Sequence, residues 1–135
     1  MPWRATCPPR RGHASVWGMT PPSDDADIEV TPEHTAAALQ DGSAQVIDVR
    51  EGYEREAGHI AGSRHIDLTD LTAQAETIDR DRPVIFHCRV GARSFMAAQA
   101  FRRAGYDAWS MAGGLERWAQ EGRDLEPDGG QIADH

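Results

Sequence analysis

The sequence predicts an α/β domain, a parallel sheet covered by helices. Three observations predict it. Short apolar runs at residues 45–49 and 83–87 alternate with segments of helical period. The connections between them are short, as in β–α–β units. One apolar run ends in Cys88, followed by a glycine-containing loop and a helical pattern. Functional groups in such sheets lie at the carboxyl ends of strands, and Cys88 has that position.

Each element has a local reason. Thr31 followed by Pro32 makes an N-cap and N1 pair that opens a helix running to about residue 40. Asp41-Gly42 ends it. Residues 45–49 read as a buried strand, and 52–57 as a short helical turn closed by Gly58. Residues 64–66 suggest a brief strand, and 68–78 a weakly helical segment. Residues 83–87 form the next buried strand. A strong helix is expected over 94–104, with Ala97, Ala100, Phe101 and Ala104 on one face and Gly105 as its stop. A last strand at 107–111 and a last helix at 115–120 complete the domain. Residues 1–23, rich in Pro, Gly, Arg and Ser, are expected to be a disordered leader, with Met19 a candidate initiator. The domain is placed at 24–124, and 125–135 is expected to be a flexible tail.

The 135 residues suit one domain with one core. The net charge of -8 is uneven. Residues 1–22 hold Arg4, Arg10 and Arg11 and no acid, so the body is more acidic than the whole. An acidic body argues against nucleic acid or an anionic membrane as partner, though a positive loop can still hold a small anion. No apolar run approaches a bilayer span. The two cysteines, Cys7 and Cys88, are too few for a disulfide framework or a cysteine-only zinc site. A reducing, cytoplasmic setting follows as the expectation. No residue pattern suggests a metal, and no cofactor is expected.

The run from Val84 to Ser94 carries the chemistry. Its loop offers a thiolate held in a cup of backbone N–H groups at a helix N-terminus, a setting that favours the thiolate and binds an anion. Four residues separate Cys88 from Arg93, giving Cys-x-x-Gly-x-Arg. Val46-Ile47-Asp48-Val49-Arg50-Glu51, Ala57-Gly58-His59-Ile60-Ala61-Gly62-Ser63 and Met111-Ala112-Gly113-Gly114-Leu115-Glu116-Arg117-Trp118 flank that loop in chain order.

This set resembles the single-domain rhodanese (thiosulfate sulfurtransferase-like) family over about residues 28–124. The resemblance implies a five-stranded parallel sheet flanked by helices on both faces. Tyrosine phosphatases carry one more residue in the equivalent loop, and the tighter cup suits a sulfane sulfur better than a phosphate. Gly52, Arg55 and Asp67 depart from the family's usual residues, at scaffold positions.

The resemblance implies an enzyme, a sulfurtransferase that moves sulfane sulfur from thiosulfate or a related donor to cyanide or a thiol through a Cys88 persulfide. Cys88 is the expected nucleophile. Arg89, Val90, Gly91, Ala92, Arg93 and Ser94 are expected to bind the donor. Their N–H groups would ring the sulfur, and Gly91 would supply an unusual backbone conformation. Arg93 is favoured for closing the cup on the sulfonate, and Arg89 for steering an anionic donor or standing as a solvated surface residue.

Asp48 and Arg50, two apart on a strand, share a face and read as a scaffold ion pair. His59 reads as a structural hydrogen-bonding residue near the site. His87 points away from Cys88 and makes a poor general base. Gly113-Gly114 allows close approach before the last helix, and Trp109 and Trp118 pack in the core or at its rim. Two alternatives stand beside the enzyme. One is a sulfur carrier or binding module fed by a protein partner, with little thiosulfate activity. The other, less favoured, is a phosphatase or arsenate-reductase-like enzyme.

Overall fold

A computed structural model describes residues 28–126 and residue 132. The expected leader, Met19 and Cys7 lie outside the described residues. Among the described residues five strands form one sheet: β1 (Glu29–Val30), β2 (Gln45–Asp48), β3 (Arg64–His65), β4 (Val84–His87) and β5 (Ala108–Met111). Their spatial order is β1-β5-β4-β2-β3, and all four pairings are parallel. All four residues of β4 are buried, as a central parallel strand covered on both faces requires. Among the described residues four helices flank the sheet: α1 (Pro32–Asp41), α2 (Gly52–Ala57), α3 (Ala92–Arg103) and α4 (Gly114–Gln120). No helix among the described residues is long and apolar enough to cross a membrane.

The alternation of side chains along each strand splits the core in two. Val84, Phe86 and Cys88 pack on one face with Ala97, Ala98 and Phe101 of α3. Phe86 meets Phe101 edge-on at 5.0 Å between ring centroids. On the other face Val46, Ile85 and Trp109 pack with Ala38 of α1 and with Leu115 and Trp118 of α4.

The local signals act as expected in α1, where the Thr31 hydroxyl accepts the His34 N–H at 3.0 Å. Gly42 closes that helix in the left-handed region. Three differences have physical reasons. Helix α3 starts two residues earlier than the pattern suggests, because Gly91 is its cap. Residues 68–78 form two 3₁₀ turns, Leu68–Asp70 and Ala75–Thr77, rather than one helix. Asp67 starts the first by accepting the Thr69 N–H. At the far end Glu126 pairs with His59 through backbone bonds of 2.9 and 2.7 Å. The described chain is therefore held two residues beyond the expected domain boundary.

Candidate active site

Cys88 follows the last residue of β4, the central strand, and the loop then turns into α3. Gly91 makes that turn with φ of +107°, a value that strains any residue bearing a Cβ. The turn brings the Gly91 N–H to 3.1 Å from Cys88 Sγ. The positive end of α3 begins at the next residue, so helix dipole and N–H act on the sulfur together. Below the sulfur lies Ser94, whose Oγ is 3.7 Å from Sγ. Cys88 itself is fully buried, and Val90 is 50% exposed at the outside of the loop.

A second contact holds the loop from the other side. The first N–H groups of α4 donate to its carbonyls, Leu115 to Cys88 at 2.9 Å and Glu116 to Arg89 at 3.0 Å. This approach requires glycine at 114. A Cβ there would stand 2.5 Å from the Arg89 carbonyl oxygen and 2.7 Å from that of Cys88, both fixed backbone atoms. Gly114 also has φ of +59°.

The two arginines of the loop have distinct settings. Arg93 makes a bidentate pair with Glu54, Nη1 to Oε1 at 2.9 Å and Nη2 to Oε2 at 3.0 Å. Glu54 is fully buried. Its Oε1 also accepts the Glu51 N–H at 2.9 Å, which fastens the start of α2. The guanidinium expected on a donor's sulfonate is thus engaged by a carboxylate, and it ties α3 to α2. The hydrogen bonds to Glu54 raise the Arg93 pKa further against the opposing effect of burial. Arg89 lies at the rim, paired with half-exposed Glu116 at 2.8 Å.

Asp48 and Arg50 sit at the end of β2 and form the ion pair expected from their shared face. Arg50 Nε and Nη2 reach the two Asp48 oxygens at 2.9 and 2.8 Å, and Nη2 also donates to the Gly58 carbonyl at 2.7 Å. Both side chains are fully buried. Arg55 adds a bond to the Ser63 carbonyl at 2.8 Å and approaches Asp48 at 3.5 Å. His59 donates its Nδ1–H to the Arg55 carbonyl at 3.1 Å. Burial alone would raise the Asp48 carboxyl, but the Arg50 hydrogen bonds and nearby positive charge hold it down at about 2.

His87 stands across from Asp48 in the β2–β4 register, on the face opposite Cys88. Burial pushes it down to about 4, with the Asp48 carboxylate acting the other way. Its setting is that of a neutral core imidazole.

The structure adds Glu54 and Ser110 to the residues around the loop, and it places the expected close approach at Gly114. Glu54 had a local signal, since it stands three residues after Glu51 at a helix start. Ser110 had none, because its partner Ser94 is sixteen residues away.

Comparison with known proteins agrees with this architecture. The profile of the Rhodanese-like domain matches residues 31–121. The thiosulfate sulfurtransferase GlpE of Pseudomonas paraeruginosa is 38% identical over 95 residues, covering 70% of this chain and 86% of that protein. The uncharacterized protein YqhL of Bacillus subtilis is 42% identical over 76 residues, which cover 56% of this chain and 60% of that protein's length. Among solved structures, the human single-domain sulfurtransferase TSTD1 superposes with a TM-score of 0.62 at 28% identity, over 70% of this chain and 96% of that one. A rhodanese-related protein from Thermoplasma volcanium gives a TM-score of 0.67 at 26% identity, over 72% of this chain and 95% of that one. The profile match runs from α1 to α4 and contains the cysteine loop, the two glycines before α4 and the Asp48–Arg50 pair. The chain belongs to the rhodanese-like domain family.

Proposed function

We propose that the protein is a sulfurtransferase that carries sulfane sulfur on Cys88. The observation that carries the reading is the sulfur itself, held at 3.1 Å from the Gly91 N–H at the N-terminus of α3. The relatives named as sulfurtransferases support it. The Cys88 thiolate attacks the outer sulfur of thiosulfate. A new sulfur–sulfur bond forms, the donor's sulfur–sulfur bond breaks, and sulfite leaves with the bonding pair. Cyanide or a thiol then attacks the terminal sulfur of the persulfide and returns the thiolate. The two steps exchange sulfur with no external oxidant or reductant. The Gly91 N–H and the dipole of α3 act on the negative sulfur in its buried site.

Arg89 is the donor-side guanidinium in this account, since it lies at the rim. Arg93 is a positioning residue in this account, since the Glu54 carboxylate holds its Nη1 and Nη2. The test is thiocyanate formation from thiosulfate and cyanide. The wild-type chain should turn over, with parallel-line kinetics, and Cys88→Ser should be inactive while folded. Turnover retained in Cys88→Ser would contradict the reading.

The full burial of Cys88 beside half-exposed Val90 favours a second reading. In it the protein is a carrier whose loop receives sulfur from a protein donor against that apolar tip. A chain that cannot use thiosulfate but accepts sulfur from a persulfide-bearing protein would support the carrier.

A further inference from the structure

Two buried hydroxyls lie beneath the nucleophile. Ser94, on the first turn of α3, and Ser110, in β5, are both fully buried. Their Oγ atoms are 2.8 Å apart. Ser94 Oγ also lies 3.2 Å from the Gly91 carbonyl oxygen and 3.7 Å from Cys88 Sγ. A hydroxyl has one proton to give and two lone pairs to receive with. Ser94 therefore chooses between the Gly91 carbonyl and the sulfur as acceptor, while its oxygen stays open to Ser110.

We infer that Ser110 and Ser94 form a hydroxyl relay that positions and stabilises the Cys88 thiolate. The inference rests on Cys88 being the reactive thiol. In the thiol state the Cys88 S–H donates to Ser94 Oγ, and the Ser94 proton goes to the Gly91 carbonyl. When the sulfur loses its proton to solvent, the Ser94 O–H turns onto the sulfur. Ser110 donates to Ser94 Oγ in both states and strengthens the bond Ser94 makes, because chained hydrogen bonds polarise one another at low dielectric. Ser110 is thus a positioning residue that acts on the sulfur through Ser94 from another strand.

The test is a pH titration of the ultraviolet thiolate band of the full-length chain, with the Cys88→Ser spectrum subtracted. A hydrogen bond to a charged group is among the stronger ones. Ser94→Ala should move the titration up by about one pH unit, equal to a roughly tenfold loss of thiolate on its acid side. Ser110→Ala should move it up by about half a unit, a roughly threefold loss. The double variant should shift no further than Ser94→Ala alone, since the relay passes through Ser94. Ser110→Thr should restore the wild-type curve, and Ser110→Val, of the same shape without the hydroxyl, should not. That pair keeps the test valid if a small residue at 110 disturbs folding. A Ser110→Ala curve that coincides with wild type, or a shift that adds in full to that of Ser94→Ala, would overturn the relay. Failure of the chain to load sulfur, with these shifts present, would count against the sulfurtransferase reading and leave the relay standing.

Discussion

Arg93 and Gly114 show how single residues hold the sulfur's surroundings. A buried carboxylate is stable only with its charge and hydrogen bonds met. Glu54 meets them through two bonds from Arg93 and one from the Glu51 N–H. Arg93→Ala would strand that carboxylate, and urea unfolding should show a loss of about 3–5 kcal/mol. It should also slow sulfur loading and sulfur release alike, because it acts on the loop's shape. A loss confined to loading would instead place the guanidinium on the donor. Gly114→Ala brings a Cβ against two loop carbonyls at a positive φ. It should cost about 2–4 kcal/mol in the same measurement. A neutral result would show that α4 can shift off the loop without penalty.

At the scale of elements, β4 separates two chemistries by alternation. Cys88 faces α3 with Val84 and Phe86, and His87 faces the Asp48–Arg50 layer. The second face makes the fold sensitive to acid. The unfolded chain protonates His87 near 6.5, and the folded chain only near 4, so the unfolded state takes up the proton first. Stability is therefore full above about pH 6.5 and falls by about 3 kcal/mol as pH drops toward 4. Asp48, held down at about 2 against an ordinary 3.8, adds a further loss below that range. His87→Leu should flatten the dependence between pH 6.5 and 4 in denaturant unfolding and leave the lower limb. An unchanged upper limb in that variant would assign the acid sensitivity to another group.

For the whole molecule, the legible parts were those written locally. Thr31-Pro32 opens α1 and the apolar run of β4 is buried throughout, as read from neighbours in sequence. The start of α3 was misplaced because Gly91 caps it, and cap geometry at a glycine leaves no side-chain signature. Strand β1 has two residues, one exposed and one buried, too few to show a period. The place of Cys88 between strand and helix could be read because strand, glycine and helix signals meet within a few residues. Its supports could not. Glu54 and Arg93 are thirty-nine residues apart, and only the fold brings them together. Residue type and a place at the helix start suggest a donor for Arg93, and the structure adds a partner within the protein, Glu54 at 2.9 and 3.0 Å.

The account's central claim is that Cys88 carries sulfur. The measurement that tests it most directly is the intact mass of the full chain after incubation with thiosulfate, before and after cyanide, with Cys88→Ser alongside. The account predicts a gain of one sulfur, located on the peptide containing Cys88, lost on adding cyanide and absent in Cys88→Ser. The same gain in Cys88→Ser, or on the peptide containing Cys7, would contradict it.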